Sequence, residues 1–271
     1  MGESSDTVFD LELGKFRRWQ ASPWGRLRYT TAAANLAAHL PPGPLEVLDV
    51  GGGSGLDAIE LAVRGHCVTI ADISEPSLAE ARVLADGRGV GDRISTRLVG
   101  VESVAREFGG ADFDVVLCHN LIQYVADPGR VIAELAAPLS ATGLVSVIAP
   151  NADADPLLTA VRSLDLDEAL RLLDAPIRFT ATYSTETRAC YADRVALDLA
   201  AAGLRVVAHC GIRSVCDLIV DDNRKTDPVF FAQLERLELA LATRTPYIYT
   251  ARFFQLIATR TDIGDDVTSG K

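Results

Sequence analysis

The stretch that most constrains this chain begins with the apolar run Leu45 to Asp49, passes through Gly51-Gly52-Gly53-Ser54-Gly55 and enters the helix-like segment Leu56 to Arg64. It reads as a strand, a glycine turn and a helix. The unit recurs, since Cys67 to Ile73 has strand character and Ser74-Glu75-Pro76 gives a polar cap and an early proline before the helical Ser77 to Leu84. Further strand-like runs at Ile94 to Val99, Phe113 to His119 and Leu144 to Ala149 alternate with helix candidates at Val101 to Phe108 and Gly129 to Pro138. Strands separated by helices form a parallel sheet covered on both faces, because each parallel connection must cross over.

After Pro150 the rhythm stops. Residues 151 to 190 have helical character without alternating strands, and are expected to form an insertion over the ligand face. A helix Ala192 to Ala202 closed by Gly203, a strand Arg205 to Gly211, a helix Val229 to Thr243 capped by Asp227-Pro228, and a strand Arg252 to Thr259 follow. The fold expected is α/β, a doubly wound seven-stranded sheet with an N-terminal helical cap and a helical insertion after the fifth strand. A terminal antiparallel pair is consistent with this order, although strand neighbours do not follow from the sequence. The expected division of the single domain is a cap over 1–40, a cofactor-binding half over 41–150, a lid over 151–191, a C-terminal half over 192–260 and a flexible tail over 261–271; the first six residues are also expected to fray.

With 271 residues, 48% of them hydrophobic, the chain can bury one large core. No apolar run approaches the roughly 18 residues that span a bilayer. The start MGESSDTVFD is acidic and polar where an export signal is basic and then apolar, and Asp6 stands where myristoylation requires Ser or Thr, so a cytoplasmic location without membrane attachment is expected. The five cysteines, Cys67, Cys118, Cys190, Cys210 and Cys216, are scattered and never spaced as C-x-x-C, which predicts reduced core residues, no disulfide framework and no metal. Three of them adjoin histidines, but neighbours on a strand face opposite ways and cannot share one ion. A net charge of −11 repels nucleic acid and anionic membranes. The local exception is the basic stretch Lys15, Arg17, Arg18, Arg26 and Arg28, which reads either as an anion patch or as a solvated helix face.

The glycine loop itself discriminates among ligands. A pyrophosphate loop has the pattern G-x-G-x-x-G, but Leu56 takes the third glycine's place and no basic residue flanks the turn. A phosphate-cradling Gly-Lys-Ser/Thr is absent as well. Asp72 ends the second strand about 20 residues after the first glycine, where a carboxylate can accept hydrogen bonds from both ribose hydroxyls. Together with Asp49 at the end of the first strand, this predicts an adenosine-bearing ligand; the alternative is a tight strand-to-helix turn with no ligand.

Val47-Leu48-Asp49-Val50-Gly51-Gly52-Gly53-Ser54-Gly55, Ala71-Asp72-Ile73-Ser74 and Leu117-Cys118-His119-Asn120 resemble successive motifs of the class I S-adenosylmethionine methyltransferases. More narrowly, the chain is similar to the tRNA 5-carboxymethoxyuridine methyltransferases at Lys15-Phe16, Gly25-Arg26-Leu27-Arg28, Arg64-Gly65-His66, Tyr124-Val125-Ala126-Asp127-Pro128, Gly211-Ile212-Arg213 with Asp217, and Pro246-Tyr247-Ile248. The resemblance implies S-adenosyl-L-methionine as cofactor, held by Arg28 at its methionine carboxylate, by Asp49, Gly51, Gly52, Gly53, Gly55, Asp72 and Ile73, and by Val101 and Glu102 at its adenine. Arg28 fits such a role because a buried carboxylate favours a charge-assisted, bidentate donor, whereas the competing reading is a surface arginine. His119 would line the methionine arm, as a wall residue or as a catalytic base.

On the acceptor side the resemblance implies Gln123, Tyr124, Arg213 and Tyr247 as substrate contacts, Arg213 also serving catalysis by clamping a carboxylate; Tyr247 and Tyr249 read alternatively as core. In that family the insertion is rich in lysine and arginine and an acid precedes the fourth-strand aromatic. Here the insertion carries Asp165, Asp167, Glu168, Asp174 and Glu186, and Gln123 precedes Tyr124. Phosphate contacts supply most nonspecific RNA affinity, so an acidic insertion disfavours tRNA. The expected function is O-methylation of a small-molecule acceptor, a carboxylate fitting best because it is nucleophilic without a base. The alternatives are the tRNA carboxyl methyltransferase, a cofactor-binding protein without turnover, and a nicotinamide dehydrogenase. The oligomeric state stays open between monomer and homodimer.

Overall fold

The computed structural model describes residues 19–20, 22–180 and 185–261. In chain order its elements are α1 (Pro23–Ala37), β1 (Glu46–Val50), α2 (Leu56–Val63), β2 (Cys67–Asp72), α3 (Glu75–Gly87), β3 (Ile94–Leu98), α4 (Val104–Phe108), β4 (Phe113–His119), α5 (Pro128–Ala136) and β5 (Leu139–Pro150). There follow α6 (Asp155–Arg162), α7 (Leu166–Leu172), β6 (Ile177–Thr180), β7 (Thr185–Arg188), α8 (Ala192–Ala201), β8 (Leu204–Ile212), α9 (Pro228–Leu241), α10 (Tyr247–Thr250) and β9 (Phe253–Arg260). Seven strands make one sheet in the order β3-β2-β1-β4-β5-β9-β8, with β9 antiparallel to both neighbours. The order reverses between β1 and β4, and ligands of open α/β sheets bind at such a switch point, beyond the carboxyl ends of the strands.

Local chemistry sets the helix starts. Ser74, Asp127 and Asp227 each accept a backbone N–H from the first turn of the helix they precede, with proline early in that turn. The central strands are buried on both faces and therefore read as continuous apolar runs. In β4, Val115 and Leu117 pack with α2 and α3 residues, while Phe113, Val116 and Cys118 face the opposite core toward α5 and α8. That alternation leaves His119 buried at the end of β4, facing the cleft.

Several sequence expectations are corrected. The fifth strand begins at Leu139, not Leu144, because Phe113 pairs with Leu139 before an irregularity in the ladder. The segment Val101 to Phe108 is a 3-10 turn, Val101–Ser103, leading into the short α4. The insertion is not purely helical, since β6 and β7 pair as a hairpin whose Ile177-Arg178-Phe179-Thr180 has the alternation of a strand. Cys67 is exposed at the start of β2, unlike the four buried cysteines. Lys15, Phe16, Arg17 and Arg18 of the basic stretch, and the expected frayed ends, lie outside the described residues. Among the described residues no helix is long and apolar enough to cross a membrane.

The segment Trp19–Gln20 is tied to α1 by a close backbone approach. A Cβ on Gly25 would stand 2.1 Å from the Trp19 carbonyl oxygen and 2.7 Å from that of Gln20, both rigid backbone atoms. We expect Gly25→Ala to lower the unfolding free energy by about 1–3 kcal/mol, read by chemical denaturation; an unchanged value would mean that Trp19–Gln20 does not pack there.

Candidate active site

The glycine turn after β1 opens a cleft of about 450 Å³ at the switch point. Gly51, Gly53 and Gly55 have φ of +69°, +54° and +75°, a region that glycine enters at no steric cost. A Cβ on Gly52 would lie 2.6 Å from Asp49 Oδ2, so the bare backbone is what lets the loop settle over that carboxylate. Gly55 does a different job from the expected one. It caps α2 in the left-handed conformation, a Cβ there would meet Ile70 Cδ1 at 2.6 Å, and it is not among the cleft's lining residues. Asp72 fastens the two loops beside it: its Oδ2 accepts the Gly53 N–H at 2.8 Å and its Oδ1 the Ser74 N–H at 2.9 Å.

Arg28, Asp49, Gly51, Gly52, Gly53, Asp72, Ile73, Val101, Glu102, His119, Gln123 and Tyr124 are brought together on the walls of this one cleft. Their environments differ sharply. Arg28 is 2% exposed, its guanidinium carbon 4.5 Å above the Tyr29 ring and its Nη1 donating to Asp57 at 2.6 and 2.7 Å. The Nε of Arg28 is buried without a hydrogen-bond partner, as is Oε1 of Gln123. Ile73 and Glu102 stay exposed on the rim.

The residue that sequence reasoning missed is Asp57. Burial alone would raise its carboxyl, but Arg28 and then His119 overcome this and hold it well below the ordinary carboxylate range. An ionised Asp57 can only accept, so His119 Nδ1 carries the proton and donates to Asp57 Oδ2 at 3.0 Å. Burial, outweighing the pull of Asp57, lowers the imidazole below its ordinary value and keeps it neutral. Its Nε2 accepts from the Ser146 hydroxyl at 2.9 Å, Ser146 Oγ accepts from Gln255 Nε2 at 3.0 Å, and Gln255 Oε1 accepts from Asn35 Nδ2 at 3.1 Å. This chain of side chains runs from the cleft through the sheet to α1. His119 therefore has both ring nitrogens engaged by protein partners. Asp49, buried behind the loop, is pushed well above its ordinary value by burial and by Asp57, against Arg28.

Two acceptor candidates sit elsewhere. Arg213 lines a neighbouring chamber, not the cleft, and pairs with Asp217 through Nε and Nη2, the Nε contact being 2.7 Å. Tyr247 is 41% exposed and lines neither space, because α10 turns Ile248 inward against Gly211 and leaves Tyr247 outside. Tyr249 is likewise exposed and packs edge-on against His209. From the insertion, Thr185 and Glu186 of β7 reach the cleft beside Gln123 and Tyr124.

Comparison with known proteins places this geometry. A methyltransferase-domain family matches residues 47–143, and the chain is 37% identical over 168 residues to a ubiquinone biosynthesis O-methyltransferase of Chromobacterium violaceum, covering 57% of this chain and 68% of that protein. The chain belongs to the S-adenosylmethionine-dependent methyltransferases. Over almost its whole length, 97% of this chain and 99% of the relative, this methyltransferase is 29% identical to the tRNA 5-carboxymethoxyuridine methyltransferase of Escherichia coli (strain K12). Its fold matches that of magnesium protoporphyrin IX methyltransferase from Synechocystis PCC 6803, solved with S-adenosylhomocysteine bound, with a TM-score of 0.62 and 18% identity over 94% of this chain and 98% of that one. The cofactor of this methyltransferase is S-adenosylmethionine.

The imidazole of His119 predicts a pH signature. Its folded value lies below the unfolded one near 6.5, so its contribution to stability is complete above about pH 6.5 and is lost as pH falls through that value toward the folded one. We expect the melting temperature of the wild type to fall more steeply than that of His119→Gln between about pH 7.5 and 5.5. Equal slopes would assign the titration to other groups.

Proposed function

We propose that this methyltransferase esterifies a carboxylate of a small acidic acceptor. When bound, S-adenosylmethionine supplies an electrophilic methyl group on a sulfonium, open to in-line displacement by an oxygen nucleophile. The carrying observation is that the one imidazole lining the cleft has both nitrogens committed, to Asp57 and Ser146. Abstracting a proton from an alcohol or an ammonium calls for a base within hydrogen-bond reach, whereas a carboxylate arrives ready to attack. The remaining carboxylates that reach the rim, Glu102 and Glu186, are exposed to water.

In this reading the residues bind and orient. The bare glycine backbone at 51–53 admits the cofactor close to the turn, Asp72 meets its ribose, and Val101 and Glu102 border its adenine. Arg28, whose buried Nε has no protein partner, receives the methionine carboxylate; Asp57 and the Tyr29 ring fix the guanidinium in place. Gln123, Tyr124 and the β7 residues Thr185 and Glu186 border the acceptor end.

A second reading is methylation of a carboxylate on tRNA, favoured by the full-length similarity to the Escherichia coli relative. The acids of the insertion, Asp165, Asp167, Glu168 and Asp174, count against a polyanion there. Methyl-labelled cofactor offered to a panel of small carboxylic acids, and in parallel to total tRNA, separates the two. We expect base-labile label, the mark of a methyl ester, in the small-acid arm and none in tRNA; label in tRNA with none in any small acid would establish the second reading instead.

The carboxylate role of Arg28 has its own test. We expect Arg28→Ala to weaken S-adenosylhomocysteine binding by about 1.5–3 kcal/mol, and to change the affinity for 5′-methylthioadenosine, which lacks the amino-acid arm, far less. Equal losses for the two ligands in calorimetry would remove Arg28 from that arm.

A further inference from the structure

Beside the cleft lies a second chamber of about 320 Å³, walled by Trp19, Arg162, Arg213, Asp217, Arg252 and Phe253. Trp19 is the wall the two spaces share. Three guanidinium groups and a single carboxylate on these walls form a local excess of positive charge in a chain of net charge −11. Each arginine comes from a different part of the chain: Arg162 from the end of α6, Arg213 from the turn after β8, and Arg252 from the turn before β9.

Their protein partners do not exhaust them. Arg162 donates to the Asp217 and Ile219 carbonyls and to Asp222 at 3.0 Å, while Asp222 also accepts from Lys225. Arg252 donates to Asp155 at 2.6 Å, and Asp155 is shared with Arg178 at 2.7 Å. Two of the three carboxylates thus divide themselves between two cations, and each guanidinium brings five N–H donors. The third arginine is held in position. Arg213 has φ +64°, its guanidinium carbon lies 5.4 Å from the Phe253 ring centroid and 6.0 Å from that of Trp19, and the loop after it is clamped by the buried Glu238, which accepts the N–H groups of Ser214, Val215 and Cys216 at 2.7, 3.0 and 2.6 Å.

We infer that this chamber is an oxyanion subsite, and that the acceptor methylated in the neighbouring cleft carries a second acidic group, a carboxylate or a phosphate, which is seated here by Arg162, Arg213 and Arg252. The inference rests on the carboxylate reading of the first site. It makes the acceptor a diacid or a phosphorylated acid, one group presented for methylation and the other fixing its register. Forked guanidinium donors suit either oxyanion.

Calorimetric titration of the full chain saturated with S-adenosylhomocysteine tests it, using inorganic phosphate, glutarate and, as a single-acid control, butyrate. We expect phosphate and glutarate to bind and butyrate to bind at least about tenfold more weakly. Arg162→Gln and Arg252→Gln should each weaken phosphate binding about tenfold or more, with Arg252→Lys intermediate because it keeps the charge and loses the fork. Affinity for S-adenosylhomocysteine in the first site should stay unchanged in these variants, which controls for folding. Phosphate tighter than glutarate marks the second group as a phosphate, and the reverse marks a carboxylate. No binding of either oxyanion, or binding insensitive to both Gln variants, overturns the subsite. The two readings fail separately. Monoacids methylated as fast as diacids, at rates indifferent to Arg162 and Arg252, would sink the subsite and leave the carboxylate reading standing; arginine-dependent phosphate binding without methylation of any acid would do the opposite.

Discussion

Asp57 is the carboxylate on which the cleft is organised. It stands in the first turn of α2, holds Arg28 through Nη1 on one side and accepts the His119 Nδ1–H on the other. A buried guanidinium without such a partner would be costly, and a buried imidazole without two partners would leave a polar nitrogen stranded. One anion answers both demands. Through His119 the arrangement continues to Ser146 on β5, Gln255 on β9 and Asn35 on α1, so that elements more than two hundred residues apart share one set of hydrogen bonds. Such a buried network is rigid when every member is satisfied, and it fixes which face of His119 the cleft sees.

The sheet makes this possible by its order. Placing β1 and β4 side by side brings the glycine turn and the end of β4 to the same edge, and the antiparallel β9 brings Gln255 under β5. The cleft is therefore built from segments whose positions are set by apolar packing elsewhere. Val115 and Leu117 anchor β4 in one core while Val116 and Cys118 anchor it in the other, and His119 inherits its place from both.

The sequence made much of this readable, for identifiable reasons. Phe113 to His119 is apolar from Val115 to Cys118, with Asp114 the one charge in it, and it is β4 without adjustment. The glycine turn and Asp72 stand at strand ends, where spacing alone announces them. Asp57 was hidden because an acid in the first turn of a helix is ordinary dipole chemistry and invites no further question. Ser146 and Gln255 did leave a trace, each a lone polar residue inside an apolar strand, Leu-Val-Ser-Val-Ile and Phe-Phe-Gln-Leu-Ile. Their pairing with one another and with His119 needed the strand order, which local pattern does not carry. Tyr247 went astray for a similar reason, since a four-residue helix has too little periodicity to say which of its aromatic and aliphatic neighbours turns inward. The hairpin of the insertion is short and bears charges, so its alternation was lost among helical signals.

Trp19 forms part of both the cleft and the arginine-lined chamber. A shared wall is a thermodynamic linkage: whatever free energy a guest in one space spends or gains by shifting the indole is charged to the guest in the other, by the same factor in either direction. Cofactor and acceptor would then sense each other's presence through a single side chain, and the order in which they arrive would alter rates without altering the coupling itself.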